Sequence, residues 1–252
     1  LVSLAEVPIW KYFAIPLSQS NNFYCDAEQL LRTGLETIQT NYFPVIPPTW
    51  PSKEQFLKLA GAAAPHSQFA HIAIQFIENP HSGNPITNLG QLLALIDEVD
   101  PSDDQPFIYV DALYTHVLNS IPSHMWPTTQ QVLGALLYGT AHPDSSLNSS
   151  KGISIVFGVE LSVVCTVLSG CYPMVLMPSE DPFLGCITFY HSSFCNYLAD
   201  STRSRKFYIS NKHSKDNILK ALTNIWQNFK EQCDDGISGK FIYLYLLAVV
   251  LI

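Results

Sequence analysis

Residues 189–198 read Phe189-Tyr190-His191-Ser192-Ser193-Phe194-Cys195-Asn196-Tyr197-Leu198. This stretch runs out of a short apolar segment, Cys186 to Tyr190, and into a helix. Ser192 and Ser193 are residue types that cap a helix N-terminus, because their side-chain oxygens accept from unpartnered backbone N–H groups. His191 is thereby placed at the junction, beside those N–H groups and the positive end of the helix dipole, where a phosphate can sit. The same dipole favours the neutral imidazole, which still has one N–H to donate. A histidine in front of a helix also serves, and more often, as a structural hydrogen-bonder. Geometry has to separate the two roles.

Working upstream, Cys186–Tyr190 is preceded by the turn-rich segment Pro178 to Gly185 and by a second apolar run, Met174 to Met177, which together predict an antiparallel hairpin. Before it, three helices are expected. Asp111 caps one with Leu113, Val117, Leu118 and Ile121 inward. Thr128-x-x-Gln131 is a capping box that starts a second, with Val132, Leu133, Leu136 and Leu137, ending at Gly139. After the polar stretch His142 to Lys151, Leu161, Val164, Cys165 and Leu168 mark the third. Three helices followed by a hairpin is the order of a winged-helix domain. Downstream, Ile218, Leu222, Ile225, Trp226 and Phe229 give one more amphipathic helix.

The first hundred residues read as helical throughout. Asp26-x-x-Gln29 and Ser52-x-x-Gln55 look like capping boxes, and Phe69, Ile72, Ala73, Phe76 and Ile77 lie on one helical face. A short helix follows through Leu89, Leu92, Leu93 and Ile96. The acidic segment Asp97 to Pro106 divides the chain. The expected fold class is therefore mainly α: a helical domain over 1–100, a winged-helix domain with a small antiparallel β-hairpin over 107–210, and a C-terminal helix with an apolar tail over 211–252.

Charge narrows the function. The net charge is −8, and no Lys or Arg occurs between Lys58 and Lys151, where eight acids fall. The basic residues cluster instead between Arg203 and Lys220, read as a solvated helix end or an intramolecular docking surface. A nucleic-acid binder normally shows the opposite balance, and the expected recognition segment, Gly158 to Ser169, has Glu160 and no base. Charged residues make up only 13% of the chain, against about 25% in typical soluble domains. Either part of the surface faces other protein, or Ser, Asn, Gln and Thr coat it.

No enzyme motif is present. Gly239-Lys240 has Asp234 where a phosphate loop needs its first glycine, and neither a G-x-S-x-G elbow nor H-E-x-x-H occurs. The six cysteines form no C-x-x-C pair or metal spacing, and most sit among apolar residues, which suits a reducing, cytoplasmic setting. Asn148-Ser149-Ser150 is a formal glycosylation sequon. Phe241 to Ile252 is an apolar run of twelve, short of the roughly 20 that span a membrane. No membrane partner is expected.

The pattern F-x-H-x-S-F-x-x-Y-L, followed by Asp200, Arg203-Ser204 and Phe207-Tyr208-Ile209, resembles the winged-helix signature of NACHT-type signal-transduction NTPases of the STAND class, particularly their large fungal branch. Trp50-Pro51-Ser52-Lys53-Glu54 and Phe76-Ile77-Glu78-Asn79-Pro80 are similar to that family's helical segments after the ATPase core. Leu113-Tyr114-Thr115-His116-Val117-Leu118-Asn119-Ser120-Ile121-Pro122 and Val132-Leu133-Gly134-Ala135 are similar to the opening of its winged-helix part. The likeness runs from about Asp26 to His213, in the family's order. Pro65-His66-Ser67-Gln68 stands where the family has a Gly-Leu-Phe-Ile-like turn.

The resemblance implies that His191 is the residue that reaches the β-phosphate of bound ADP and holds a closed, inactive state. It places the family's phosphate loop and magnesium-binding acid upstream of Leu1. On this reading the chain is a regulatory lid and nucleotide-state sensor, not an enzyme. It needs no cofactor of its own, while ADP and ATP, or GTP, belong to the parent protein. Its partners are that protein's NTPase core and downstream repeat domain. Two other readings stand beside it: a winged-helix nucleic-acid module, and a truncated gene fragment without present function.

Overall fold

The computed structural model describes residues 23–64, 66–79, 83–100, 105, 107–140, 145–178 and 185–232. The apolar run Phe241–Ile252 and the first 22 residues lie outside these. The described chain is mainly helical, with one two-stranded antiparallel sheet.

The first half comprises α1 (Phe23–Asn41), α2 (Lys53–Ala63), α3 (Ser67–Glu78) and α4 (Pro85–Glu98). All five apolar residues whose spacing defines the face of α3 are buried, and so are Ala70 and Ile74. The helix is covered on several sides because α1, α2, α4 and the helix after α4 all touch it. Its approach to α1 is close: a Cβ built on Gly34 would lie 2.5 Å from Ile74 Cδ1. Ser52 starts α2 by the reciprocal bonds its sequence predicts. The Gln55 N–H donates to Ser52 Oγ at 3.2 Å, and the Ser52 N–H donates to Gln55 Oε1 at 2.9 Å. Asn84 caps α4, with Pro85 at its first position, where the missing N–H costs nothing. Asp26 does not cap α1, which already begins at Phe23 and holds Asp26 in its first turn.

The second half comprises α5 (Ile108–Ser120), α6 (Trp126–Thr140), α7 (Ser150–Phe157), α8 (Leu161–Gly170), β1 (Val175–Leu176), β2 (Thr188–Phe189), α9 (Ser192–Ala199), α10 (Ser201–Ser204) and α11 (Asn211–Gln232). Two expected caps lie inside their helices. Asp111 is in the first turn of α5, its N–H bonded to the Phe107 carbonyl at 2.8 Å. Thr128 is within α6, which a 3₁₀ turn at Ser123–Met125 brings in two residues earlier. The polar stretch after α6 hides a helix. Ser149 caps α7 through the Gly152 N–H at 3.1 Å, Ile153 and Val156 face inward, and Gly158 ends it at φ 62°, a conformation that favours glycine.

The hairpin is where it was expected but shorter, with Val175 opposite Phe189 and Leu176 opposite Thr188. It stops because the Ile187 N–H donates not to β1 but to the Asn148 carbonyl, at 2.6 Å. At the other end the Tyr190 N–H reaches the Met174 carbonyl at 2.9 Å. α11 packs Ile218 and Leu222 against α6 and α7.

One cluster of buried apolar side chains extends from Ala27 to Leu222 and crosses the acidic divide at 97–106. Across it, His66 stacks on Phe107 with centroids 4.7 Å apart, Phe69 meets Tyr109 at 6.0 Å, and the Tyr172 hydroxyl donates to Gln75 Oε1 at 3.1 Å. Among the described residues no helix is long and apolar enough to cross a membrane.

Candidate functional site around His191

His191 sits between β2 and α9 in extended conformation, φ −146° and ψ 141°, and is itself the N-cap of α9. Its Nδ1 accepts the Ser193 N–H at 3.1 Å. The expectation that Ser192 or Ser193 caps this helix is thus corrected: α9 begins at Ser192, so the cap falls one residue earlier. An imidazole Nδ1 is as many bonds from Cα as the side-chain oxygen of Asn, the preferred cap, and reaches the same N–H. The ring is half-buried. Among the described residues Nε2 has no hydrogen-bond partner, whereas Nδ1 has a second one in Ser193 Oγ at 2.8 Å.

Ser193 links this junction to α5. Its hydroxyl, buried like the rest of the residue, is 2.6 Å from the Tyr114 hydroxyl. The Tyr114 ring lies against Phe194 and Tyr197, with centroids 5.0 and 5.3 Å away. Tyr197 adds a bond from its hydroxyl to Thr115 Oγ1 at 2.8 Å. Phe189 reaches Phe194 edge-on at 5.9 Å. Burial raises the pKa of both tyrosines, so each phenol keeps its proton. The apolar positions of the quoted stretch are the packing of α9 onto α5 and β2.

Asp200 and Arg203 have separate tasks. Asp200 caps α10, accepting from the N–H groups of Thr202 at 2.8 Å and Arg203 at 3.3 Å. The Thr202 hydroxyl and these N–H groups hold its carboxyl below the usual carboxylate range. Arg203 turns inward and grips Asp111 with two bonds, Nε to Oδ2 at 2.9 Å and Nη2 to Oδ1 at 2.6 Å. Its guanidinium also covers the Phe107 ring at 4.8 Å. Arg203 therefore leaves the basic surface to which the sequence assigned it. Arg205, Lys206, Lys212, Lys215 and Lys220 are exposed. Phe207 and Ile209 are buried, and the Ile209 N–H closes back on the Leu198 carbonyl at 2.8 Å.

Ser193 was read from the sequence only as a candidate cap, and Tyr114, Thr115 and the Asp111–Arg203 pair were not singled out as contributors to the His191 region. The only signal was the presence of Tyr114 and Thr115 in a family-like segment. Other chemistry is not assembled here. Among the described residues no group of three His, Cys, Asp or Glu side chains could hold a metal ion. Burial pushes the thiols of Cys171 and Cys195 up to about 12 and about 11, far from thiolate at neutral pH. The sequon residue Asn148 is buried, with its amide donating to the Gly139 carbonyl at 3.0 Å. Two surface grooves of about 260 and 390 Å³ run between α6, α7 and α11, and neither is lined by His191.

The titration of this region has a definite sign. Burial lowers both His191 and His71 on α3, and His71 is lowered further by the charge of His191. Both rings refuse protons that the unfolded chain accepts near pH 6.5. Their contribution to stability is complete above that value and is lost as pH falls through 6.5 towards the folded pKa values. Glu78, raised by burial, contributes with the opposite sign. The measurement is therefore differential. His191→Asn keeps an N-cap acceptor but cannot titrate, and it should flatten the fall in melting temperature between pH 7.5 and 5.5. An unchanged slope in the variant would remove His191 from this account.

No family model, curated protein or solved structure matches the chain.

Proposed function

We propose that this chain is the regulatory lid and nucleotide-state sensor of a NACHT-type STAND signalling NTPase. On this reading α5 to α10 are its winged-helix part, and His191 is the group that touches the β-phosphate of bound ADP. The observation that carries the reading is the division of labour on the imidazole. Nδ1 is committed to capping α9, and Nε2 of the half-buried ring has no partner among the described residues. The first half and the winged-helix part meet through a continuous core, as a lid that closes over a nucleotide in an upstream core requires.

The device is a switch and not a catalyst. His191 donates to the diphosphate in the closed form, and a ligand that lacks this differential contact releases the lid. Arg203–Asp111 and the α5–α9 packing keep the His191 junction rigid in both forms. The partners are the NTPase core and repeat domain of the parent protein. The alternative of a DNA reader gains nothing from the fold: α8, the candidate recognition helix, contains no Lys or Arg and starts after Glu160.

The test uses this chain joined to the NTPase core of its parent protein. His191→Ala removes one hydrogen bond to a charged group, about 1.5–3 kcal/mol, and should weaken ADP binding about 10- to 150-fold. Unchanged ADP affinity in a folded variant would leave His191 a structural cap and sink the sensor reading.

A further inference from the structure

We infer that Tyr114, on α5, is a positioning residue that acts through Ser193 to hold His191 in the neutral tautomer with its proton on Nε2. This deepens the sensor reading above, since it specifies the state of the ring that would meet the phosphate. It does not depend on that reading for its test.

The Ser193 N–H points at His191 Nδ1 from 3.1 Å, and a backbone N–H can only donate. Nδ1 must then present its lone pair, because a proton there would face the N–H head-on. The ring proton therefore resides on Nε2. Ser193 Oγ is 2.8 Å from the same Nδ1, so between these two atoms the hydroxyl is the donor. Having given its one proton to Nδ1, Ser193 Oγ can only accept from the Tyr114 hydroxyl at 2.6 Å. Tyr114 ends the chain as its first donor. Its ring is 1% exposed and clamped by Phe194 and Tyr197, so the hydroxyl stays aimed at Ser193.

The donors run one way, from Tyr114 on α5 through Ser193 Oγ on α9 to His191 Nδ1, at which the Ser193 N–H is also aimed. Without the Tyr114 hydroxyl, Ser193 Oγ is free to rotate and to accept a proton from Nδ1, so the Ser193 N–H alone is left to oppose the other tautomer and the cation. The titratable group that faces His191 from another element is His71 on α3, whose positive form also opposes the imidazolium. It is present equally in the wild type and in the variants below, so it does not enter the comparison.

The experiment is nitrogen NMR of the full chain labelled at its eight histidines, with His191→Asn identifying the His191 signals. Wild-type His191 should show the Nε2-protonated pattern at pH 7. Tyr114→Phe keeps the aromatic packing and removes only the hydroxyl. It should raise the His191 midpoint by roughly 0.5–1 unit and mix in the Nδ1-protonated form. Ser193→Ala should shift the midpoint in the same direction. A merely structural tyrosine would lower the melting temperature without moving these signals. An Nδ1-protonated ring in the wild type would overturn the inference even if neither variant folds. So would an unmoved midpoint and tautomer in folded Tyr114→Phe. Since no nucleotide is involved, a positive result here with unchanged ADP affinity in His191→Ala would reject the sensor reading alone.

Discussion

Phe194→Ala should lower the unfolding free energy by about 3–5 kcal/mol, the range for emptying a buried aromatic site. Phe194 has no exposed surface and touches three other rings, Phe189, Tyr114 and Tyr197. Those rings come from β2, α5 and α9, so the vacated volume lies between separate elements that cannot all move in to fill it. For a chain of 252 residues this corresponds to a fall in melting temperature of roughly 6–20 °C. Phe194→Leu, which keeps most of the volume, should lose less than half as much. Thermal or denaturant unfolding measures both. A loss below about 1 kcal/mol for the alanine variant would mean that α9 is not seated on α5 as described.

The second large effect belongs to Asp111. Its bond pair with Arg203 is mostly enclosed, with 15% and 19% of the two side chains exposed. Removing the acid leaves a guanidinium against Phe107 without its counter-charge. A fully buried pair broken on one side costs about 3–5 kcal/mol, and the residual solvent access here reduces that to about 2–3 kcal/mol for Asp111→Ala. Arg203→Met together with Asp111→Ala removes both charges and should recover much of the loss. Strictly additive losses in this double-mutant cycle would show that the two side chains do not interact. The penalty should persist in high salt, unlike that of the exposed pair Arg32–Glu28.

Local signals in the sequence were legible where the structure uses them locally. The Ser52 capping box, the inward face of α3 and the two hairpin segments are determined within a few residues, and the amino-acid pattern announces them. The failures have equally local causes. Asp111, Thr128 and Asp26 look like caps, yet each helix extends past them because upstream residues join the first turn. α7 went unseen because Ser149, Ser150, Lys151 and Gly152 dilute the apolar signal of an eight-residue helix. At the candidate site, the sequence placed His191 at a helix start and neutral. It did not show that the imidazole would do the capping, since serine neighbours are the commoner choice. Arg203 finds Asp111 92 positions away, and His191 is tied through Ser193 to Tyr114, 79 positions from that serine, and periodicity carries no information at that range. Arg203 looked like one more base in a charged run until Asp111 was folded against it.

The α5–α9 interface also has a consequence for biosynthesis. Tyr114 and Ser193 are separated by 79 positions. At the usual elongation rates of about 5–20 residues per second, α5 leaves the ribosome about 4–16 s before its covering helix exists. During that interval the Tyr114 face of α5 lacks its α9 cover, while α3, α4 and, once made, α8 pack on its other sides. The nascent chain must therefore pass through a stage that offers an aromatic surface to chaperones, and any interruption of synthesis before α9 leaves it at that stage.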